Sequence, residues 1–142
     1  MVFSACCLPK KHVIKIKYIY IAPEWYAVRG LRGYDYTKDA KRYALYLMGR
    51  LPRNYSLTFS ASERVTDAQI VNLVNRGGTV AVVLTDKPRE TFRGVPMVNG
   101  DESDDRTLDT RGVVVGLKAK GKMRDHAAYR GFVRDNDDEV TA

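Results

Sequence analysis

Residues 79–85 read Thr-Val-Ala-Val-Val-Leu-Thr, a nearly unbroken apolar run that is rich in β-branched side chains. Such a run is typical of a strand that is covered on both faces, as the central strands of parallel sheets are. Parallel neighbours need a long crossover between them, and that crossover is usually a helix. The run therefore predicts an α/β fold.

The segment before this run supplies both a helix and a partner strand. Thr66-Asp67-Ala68-Gln69 has the spacing of a capping box, and the apolar residues that follow it recur at helical spacing until Gly77-Gly78. Residues 55–62 alternate apolar and polar side chains, which indicates a strand. We expect this strand to run parallel to residues 79–85, with both Val80 and Val82 buried.

The same signals continue towards both ends of the chain. Residues 13–22 alternate like a strand with edge lysines, and residues 33–36 indicate a short strand or turn after an irregular link at 23–33. A helix is predicted from a cap at Thr37 to about Arg50. Two further strands are predicted at 95–98 and 112–118, on either side of an acidic loop.

The predicted order of strands and helices gives the fold class. We expect one α/β domain over residues 1–142, with a mostly parallel sheet built from βαβ units, either half-barrel-like or three-layered. We expect residues 1–12 and 135–142 to be loosely ordered.

The positive charge of the chain is concentrated in its first part. The net charge is +7, and residues 1–60 hold eleven Lys and Arg against three Asp and Glu, together with eight of the nine tyrosines. Such a surface can attract phosphate backbones or an acidic protein, although the same cations could simply solvate a helix and an edge strand. The candidate nucleic-acid-binding residues are Lys10, Lys11, Lys15, Lys17, Lys41 and Arg42.

A second candidate site follows from the predicted sheet. Ligands of parallel α/β sheets bind at the carboxyl ends of the strands, where polar residues also occur simply because the protein is solvated. The polar candidates at these ends are Tyr36, Lys38, Ser60, Ser62, Glu63, Asp101, Asp104, Lys118 and Lys120. The sequence identifies no catalytic residue among them.

The chain offers few ligands for a metal or cofactor. Cys6 and Cys7 are adjacent, His12 and His126 are isolated, and the acidic residues 101–105 lack the ligand spacing of an EF-hand. We therefore expect no metal and no cofactor. The two cysteines suit a reducing cytoplasm, and no apolar run approaches the length of a membrane helix.

Four segments, in this order, carry a family resemblance: residues 34–38, residues 57–63, residues 98–102 with Arg106, Leu108 and Asp109, and residues 113–121. They resemble the C-terminal part of an uncharacterised family of hypothetical proteins from tailed phages and prophages, over roughly residues 34–134. Longer members of that family have a cysteine-rich, radical-SAM-like N-terminal section. The resemblance implies that the chain comes from a phage. It implies no known reaction, and this chain lacks the three-cysteine motif that a cluster-dependent reaction would need.

Two functions from different classes follow. The first is a non-enzymatic phage accessory protein of the host cytoplasm that binds nucleic acid or a host protein, for example to counter a host defence. The alternative is a small-molecule or nucleotide enzyme with its site at the strand ends, as a shortened, cluster-free relative of the radical-SAM-like proteins. The basic, tyrosine-rich first part favours the first function.

Overall fold

The computed structural model describes residues 12–15, 31–125 and 127–136. Its strands are β1 (His12–Lys15), β2 (Leu31–Thr37), β3 (Tyr55–Ser60), β4 (Thr79–Leu84), β5 (Thr91–Phe92), β6 (Val95–Asn99), β7 (Val113–Lys118) and β8 (Val133–Arg134). Its α-helices are α1 (Ala40–Leu47) and α2 (Asp67–Asn75), and short 3₁₀ helices lie at Arg106–Leu108 and Gly121–Arg124.

The described strands form one mostly parallel sheet. Seven of them lie in the order β1-β2-β3-β4-β7-β6-β5, and β8 pairs with β4. Every pairing is parallel except that of β5 with β6. Helix α1 connects β2 to β3, and α2 connects β3 to β4. The predicted α/β character and the mostly parallel sheet are therefore confirmed.

The run that predicted the fold lies where it was expected. Strand β4 is central, pairs with β3 in parallel, and leaves both Val80 and Val82 with no exposed surface. The capping box before α2 is formed in both directions, with Thr66 and Gln69 each accepting from the other's backbone amide. These two predictions are confirmed.

The two faces of the sheet are covered differently. Tyr43 of α1 and Ile70 of α2 belong to one core cluster with Phe59 and Val82, so both helices lie on the same face. Side chains alternate along a strand, so the neighbours of Phe59 in β3, such as Thr58, point to the other face. The connection from β6 to β7 covers that second face, where its 3₁₀ helix at Arg106–Leu108 contacts β2 and β3.

The edge of β4 that faces β3 uses three different partners. The amide of Thr79 donates to the Tyr43 hydroxyl at 2.7 Å, and that hydroxyl donates to the Thr79 carbonyl at 2.8 Å. The carbonyl of Ala81 accepts from the amide of Ala61, the residue after β3, and the amide of Thr85 donates to the carbonyl of Arg134 in β8. Backbone groups of Thr79, Ala81 and Thr85 on this edge therefore have partners, although β3 pairs with β4 over two residues only.

Several boundaries differ from those predicted. The cap of α1 is Asp39, whose side chain accepts from the amides of Lys41 and Arg42, so the prediction of a cap at Thr37 is wrong. Thr37 instead ends β2, where it is buried and accepts from the Asp39 amide. The helix ends at Leu47, before the predicted Arg50, because Gly49 has a positive φ of 71°.

One strand is longer than predicted, and two short strands were not predicted. The segment given as a short strand or turn is the seven-residue β2, which lies between β1 and β3. Strand β5 joins β6 through Arg93 and Gly94, whose positive φ values suit a tight hairpin turn. Strand β8 is only two residues long.

Part of the prediction concerns residues that the structure does not describe. Residues 16–22 of the first predicted strand, residues 23–30 of the link, and the predicted loose ends at 1–11 and 137–142 lie outside the described residues. Asn136 is described: it is buried and donates to the Lys87 carbonyl at 2.6 Å.

Replacing Tyr43 with Phe tests the edge of β4. The change keeps the ring but leaves the buried amide and carbonyl of Thr79 without their partner, so we expect the free energy of unfolding to fall by about 1–3 kcal/mol. Chemical denaturation measures this. Tyr46→Phe on the same helix is the matched control, since Tyr46 is half-buried beside Tyr43 but its hydroxyl is not the partner of Thr79. Equal losses in the two variants would contradict the account.

Candidate functional site

A cleft lies beside the first residues of β3. Phe59 of β3 pairs with Val80 of β4. Thr79, which is the first residue of β4, therefore stands opposite Thr58, and residues 55–57 of β3 extend past the amino-terminal end of β4. The cleft opens beside this extension, at the amino-terminal edge of the sheet, and has a volume of about 200 Å³.

Four arginines line this cleft. Arg32 comes from β2, Arg53 from the turn before β3, and Arg106 and Arg111 from the connection that crosses the second face. We call the space that they line the arginine cleft. Among the described residues that line it, Asp109 is the one carboxylate. Four guanidinium groups against one carboxylate give the cleft a marked excess of positive charge.

Arg106 is the buried member of the four. Its side chain is 2% exposed, whereas Arg32, Arg53 and Arg111 are exposed residues. Its Nη1 lies 3.3 Å from Asp109 Oδ2, and its Nη2 donates to the Ser103 carbonyl. Its Nε has no hydrogen-bond partner among the described residues, and the Nη1–Asp109 contact does not have hydrogen-bond geometry. A buried guanidinium whose N–H groups are not all hydrogen-bonded is suited to bind an anion.

Asp109 and Arg111 complete the wall that faces β3. Burial raises the pKa of Asp109, although the neighbouring Arg106 partly opposes this shift. The Arg111 guanidinium lies 5.3 Å from the ring centroid of Tyr46, which extends from α1 to the same cleft. Stacking of this kind holds an exposed guanidinium in a fixed direction. The wall therefore has defined positions for its charges.

Three of the predicted strand-end residues lie together at the opposite edge of the sheet. Lys120 Nζ lies 2.7 Å from Asp101 Oδ1, and the amide of Lys118 donates to Asp101 Oδ2 at 2.9 Å. Burial raises the pKa of Asp101, but these two bonds outweigh it and hold the pKa below its ordinary value. The Asp101 carboxylate is thus engaged by its own neighbours.

The other strand-end candidates are spread over several surroundings. Lys38 Nζ lies 5.4 Å from the ring centroid of Phe132, and Glu63 lies next to the open side of Gly131, so both lie beside the segment that leads into β8. The carbonyl of Ser62 accepts from Arg134, whose side chain also pairs with Asp67. Strand β8 therefore occupies the carboxyl edge between β3 and β4.

The remaining three candidates do not join either group. Ser60 is half-buried at the end of β3, and Asp104 is exposed in the acidic loop. Tyr36 is half-buried on the second face, where burial raises the pKa of its hydroxyl and Arg106 partly opposes the shift.

The predicted nucleic-acid-binding residues are only partly described. Lys10, Lys11 and Lys17 lie outside the described residues, as does the side chain of Lys15. Lys41 is exposed on α1. Arg42 is not free: its Nη2 donates to Asp35 Oδ2 at 3.1 Å and to the Tyr55 hydroxyl. The arginines of the cleft were not among the candidates, since they are separated in sequence and share no motif.

The chain matches the family described as Gene product 88 over residues 17–136. The chain belongs to this family. This match confirms the resemblance to phage proteins, since the family is one of phage gene products of unknown function. No curated protein and no solved structure matches the chain.

The described residues contain no group of three or more His, Cys, Asp or Glu side chains placed to hold a metal ion. None of their helices is both long enough and apolar enough to cross a membrane.

The two aspartates with opposite shifts provide a test of these electrostatics. We expect Asp109 to titrate above, and Asp101 below, the ordinary aspartate pKa of 3.8. Ionising Asp109 should then weaken folding as the pH rises through its folded pKa, whereas the contribution of Asp101 should be lost as the pH falls through its own. Carboxyl-carbon NMR over an acid titration measures both values. The opposite order of the two midpoints would contradict the described contacts.

Proposed function

We propose that this phage protein acts in the host cell as a non-enzymatic binder of nucleic acid, and that the arginine cleft is its contact with the phosphate backbone. The observation that carries the proposal is the convergence of Arg32, Arg53, Arg106 and Arg111 on one cleft with one opposing carboxylate. Arginine suits this role because its planar guanidinium donates in pairs to phosphate oxygens and stays charged at all ordinary pH values.

The net charge of +7 supports the same partner over a protein. Nucleic acid carries a regular array of phosphates, so a cationic surface binds it without any sequence motif and at favourable association rates. An acidic host protein could also use charge, but the exposed large apolar side chains that the structure describes, Leu45, Met48 and Leu108, do not line the cleft. A host-protein partner is therefore an outcome of the test below.

The enzyme alternative rests on the carboxyl edge of the sheet, and no described contact there favours it. Asp101 is bonded to Lys118 and Lys120, and the space between β3 and β4 is occupied by β8. A strand-end reaction would need side chains that are available to a substrate. The arginine cleft offers such groups at the other edge.

A salt series tests the proposal. Binding of labelled single- and double-stranded oligonucleotides is followed by fluorescence anisotropy for the wild type and for Arg32→Ala/Arg53→Ala. Each phosphate contact contributes roughly 0.9 to the slope of log affinity against log salt on duplex DNA, so the double variant should flatten that slope by about two units.

Lys122→Ala/Arg124→Ala is the matched control, because it removes the same charge from exposed residues at the opposite edge. We expect this variant to change the slope less than the cleft variant does. Equal changes would place the contact elsewhere on the surface. A wild type that binds no oligonucleotide even at low salt would exclude nucleic acid and leave an acidic host protein as the partner to seek.

A further inference from the structure

We infer that the arginine cleft takes a terminal phosphate, that is, a phosphomonoester, in preference to the phosphodiesters of a continuous strand. The inference rests on the proposed function in placing nucleic acid at the cleft, and it adds which part of the nucleic acid enters. The same chemistry is presented by the phosphorylated end of an oligonucleotide and by a free mononucleotide.

The size of the cleft favours a terminal phosphate. Its volume of about 200 Å³ is smaller than the roughly 300–1,000 Å³ of pockets that enclose drug-sized ligands. A phosphate with part of one sugar fits such a space. A strand that passes through needs room for the following nucleotides on both sides of the bound phosphate.

Arg106 is the buried member of the four arginines, whereas the other three are exposed. Its Nε, and its Nη1, which is ion-paired but not hydrogen-bonded to Asp109, are buried and have no hydrogen-bond partner among the described residues. A phosphate oxygen that reaches this guanidinium would satisfy both donors. Because Arg106 is enclosed, a terminal phosphate that enters end-on can approach it more closely than a phosphate in the middle of a strand.

The balance of charge also favours a terminal phosphate. A phosphomonoester carries about −1.5 to −2 charges near pH 7 and presents three acceptor oxygens, whereas a phosphodiester carries a single charge. Four guanidinium groups against the single carboxylate of Asp109 leave an excess of three positive charges in the cleft. The hydroxyl side chains of Ser56 and Thr58 stand on the same face of β3 and line the cleft as further polar groups. The site therefore matches the more highly charged ligand.

Paired oligonucleotides of one sequence test the inference, one ending in a 5′-phosphate and the other in a 5′-hydroxyl. We expect the phosphorylated strand to bind the wild-type chain roughly tenfold more tightly, which corresponds to about one charge-assisted interaction of 1.4 kcal/mol. Inorganic phosphate and a nucleoside 5′-monophosphate, added as competitors, should abolish this preference. Binding of the monophosphate alone, measured by calorimetry, shows whether a free nucleotide is also a ligand.

Two variants locate the preference. Arg106→Lys keeps the positive charge but removes the paired donors, and we expect it to lose the preference for the phosphorylated end. Because Arg106 is buried, its thermal unfolding is measured first, and Arg53→Ala, an exposed change in the same cleft, gives the result if the lysine variant does not fold. Arg124→Ala is the control and should keep the full preference.

The outcomes separate this inference from the proposed function. Equal affinity for the two strands, with the salt dependence retained, overturns the inference and leaves nucleic-acid binding in place. Loss of the preference in Arg124→Ala as much as in Arg53→Ala also overturns it. Binding of the monophosphate at the cleft without binding of either oligonucleotide supports the phosphomonoester site and overturns the nucleic-acid proposal.

Discussion

The edge of β4 that faces β3 is the constraint on which the rest of the structure depends. A buried central strand must have its backbone amides and carbonyls bonded along its whole length, because each one left unbonded costs free energy comparable to a lost hydrogen bond. Strand β3 meets this requirement for only two residues of β4. The Tyr43 hydroxyl completes it at Thr79, and Arg134 of β8 completes it at Thr85.

Because different groups bond to the two ends of this β4 edge, the two ends of the sheet differ in the space that they leave for a ligand. At the carboxyl end, β8 occupies the space beside β4, and Arg134 holds it there through Asp67 and the carbonyls of Ser62 and Val65. At the amino-terminal end, a single hydroxyl replaces a strand and leaves room beside residues 55–57 of β3. The connection from β6 to β7 covers that region and brings Arg106 and Arg111 to it. At the usual ligand edge of a parallel sheet, β8 thus occupies the position beside β4, and the opposite edge carries the cleft.

The parts of the fold that the sequence predicts are those governed by local patterns. The apolar run at 79–85 and the capping box at Thr66 and Gln69 depend on neighbouring residues alone, and both are formed as expected. Strand β8 has only two residues and is defined by its pairing with β4, so it is too short to produce an alternating pattern in the sequence. The cap of α1 was assigned to Thr37, because Thr and Asp are both good caps and the burial of Thr37 in β2 is a tertiary effect.

The candidate site could not be located from the sequence. The excess of positive charge in residues 1–60 favoured a partner rich in phosphate or an acidic protein, but only Arg32 and Arg53 of the cleft belong to that part of the chain. The four arginines that meet in the cleft lie at positions 32, 53, 106 and 111, so they share no motif and no single helix or strand. Arg106 and Arg111 were not among the candidates, since nothing local shows that the connection from β6 to β7 crosses a face of the sheet. Contacts between segments so distant in sequence become visible only in the folded chain.

The central claim is that the gap beside the first residues of β3 is an anion site, and an NMR titration of the ¹⁵N-labelled chain with inorganic phosphate tests it most directly. The account predicts saturable shifts of the amide signals of Ser56, Thr107 and Arg111, which surround the cleft, with no change at Lys118 or Lys120 on the opposite edge. Shifts at Lys118 and Lys120 in place of the cleft residues, or no saturable shift at any of these five amides, would contradict it.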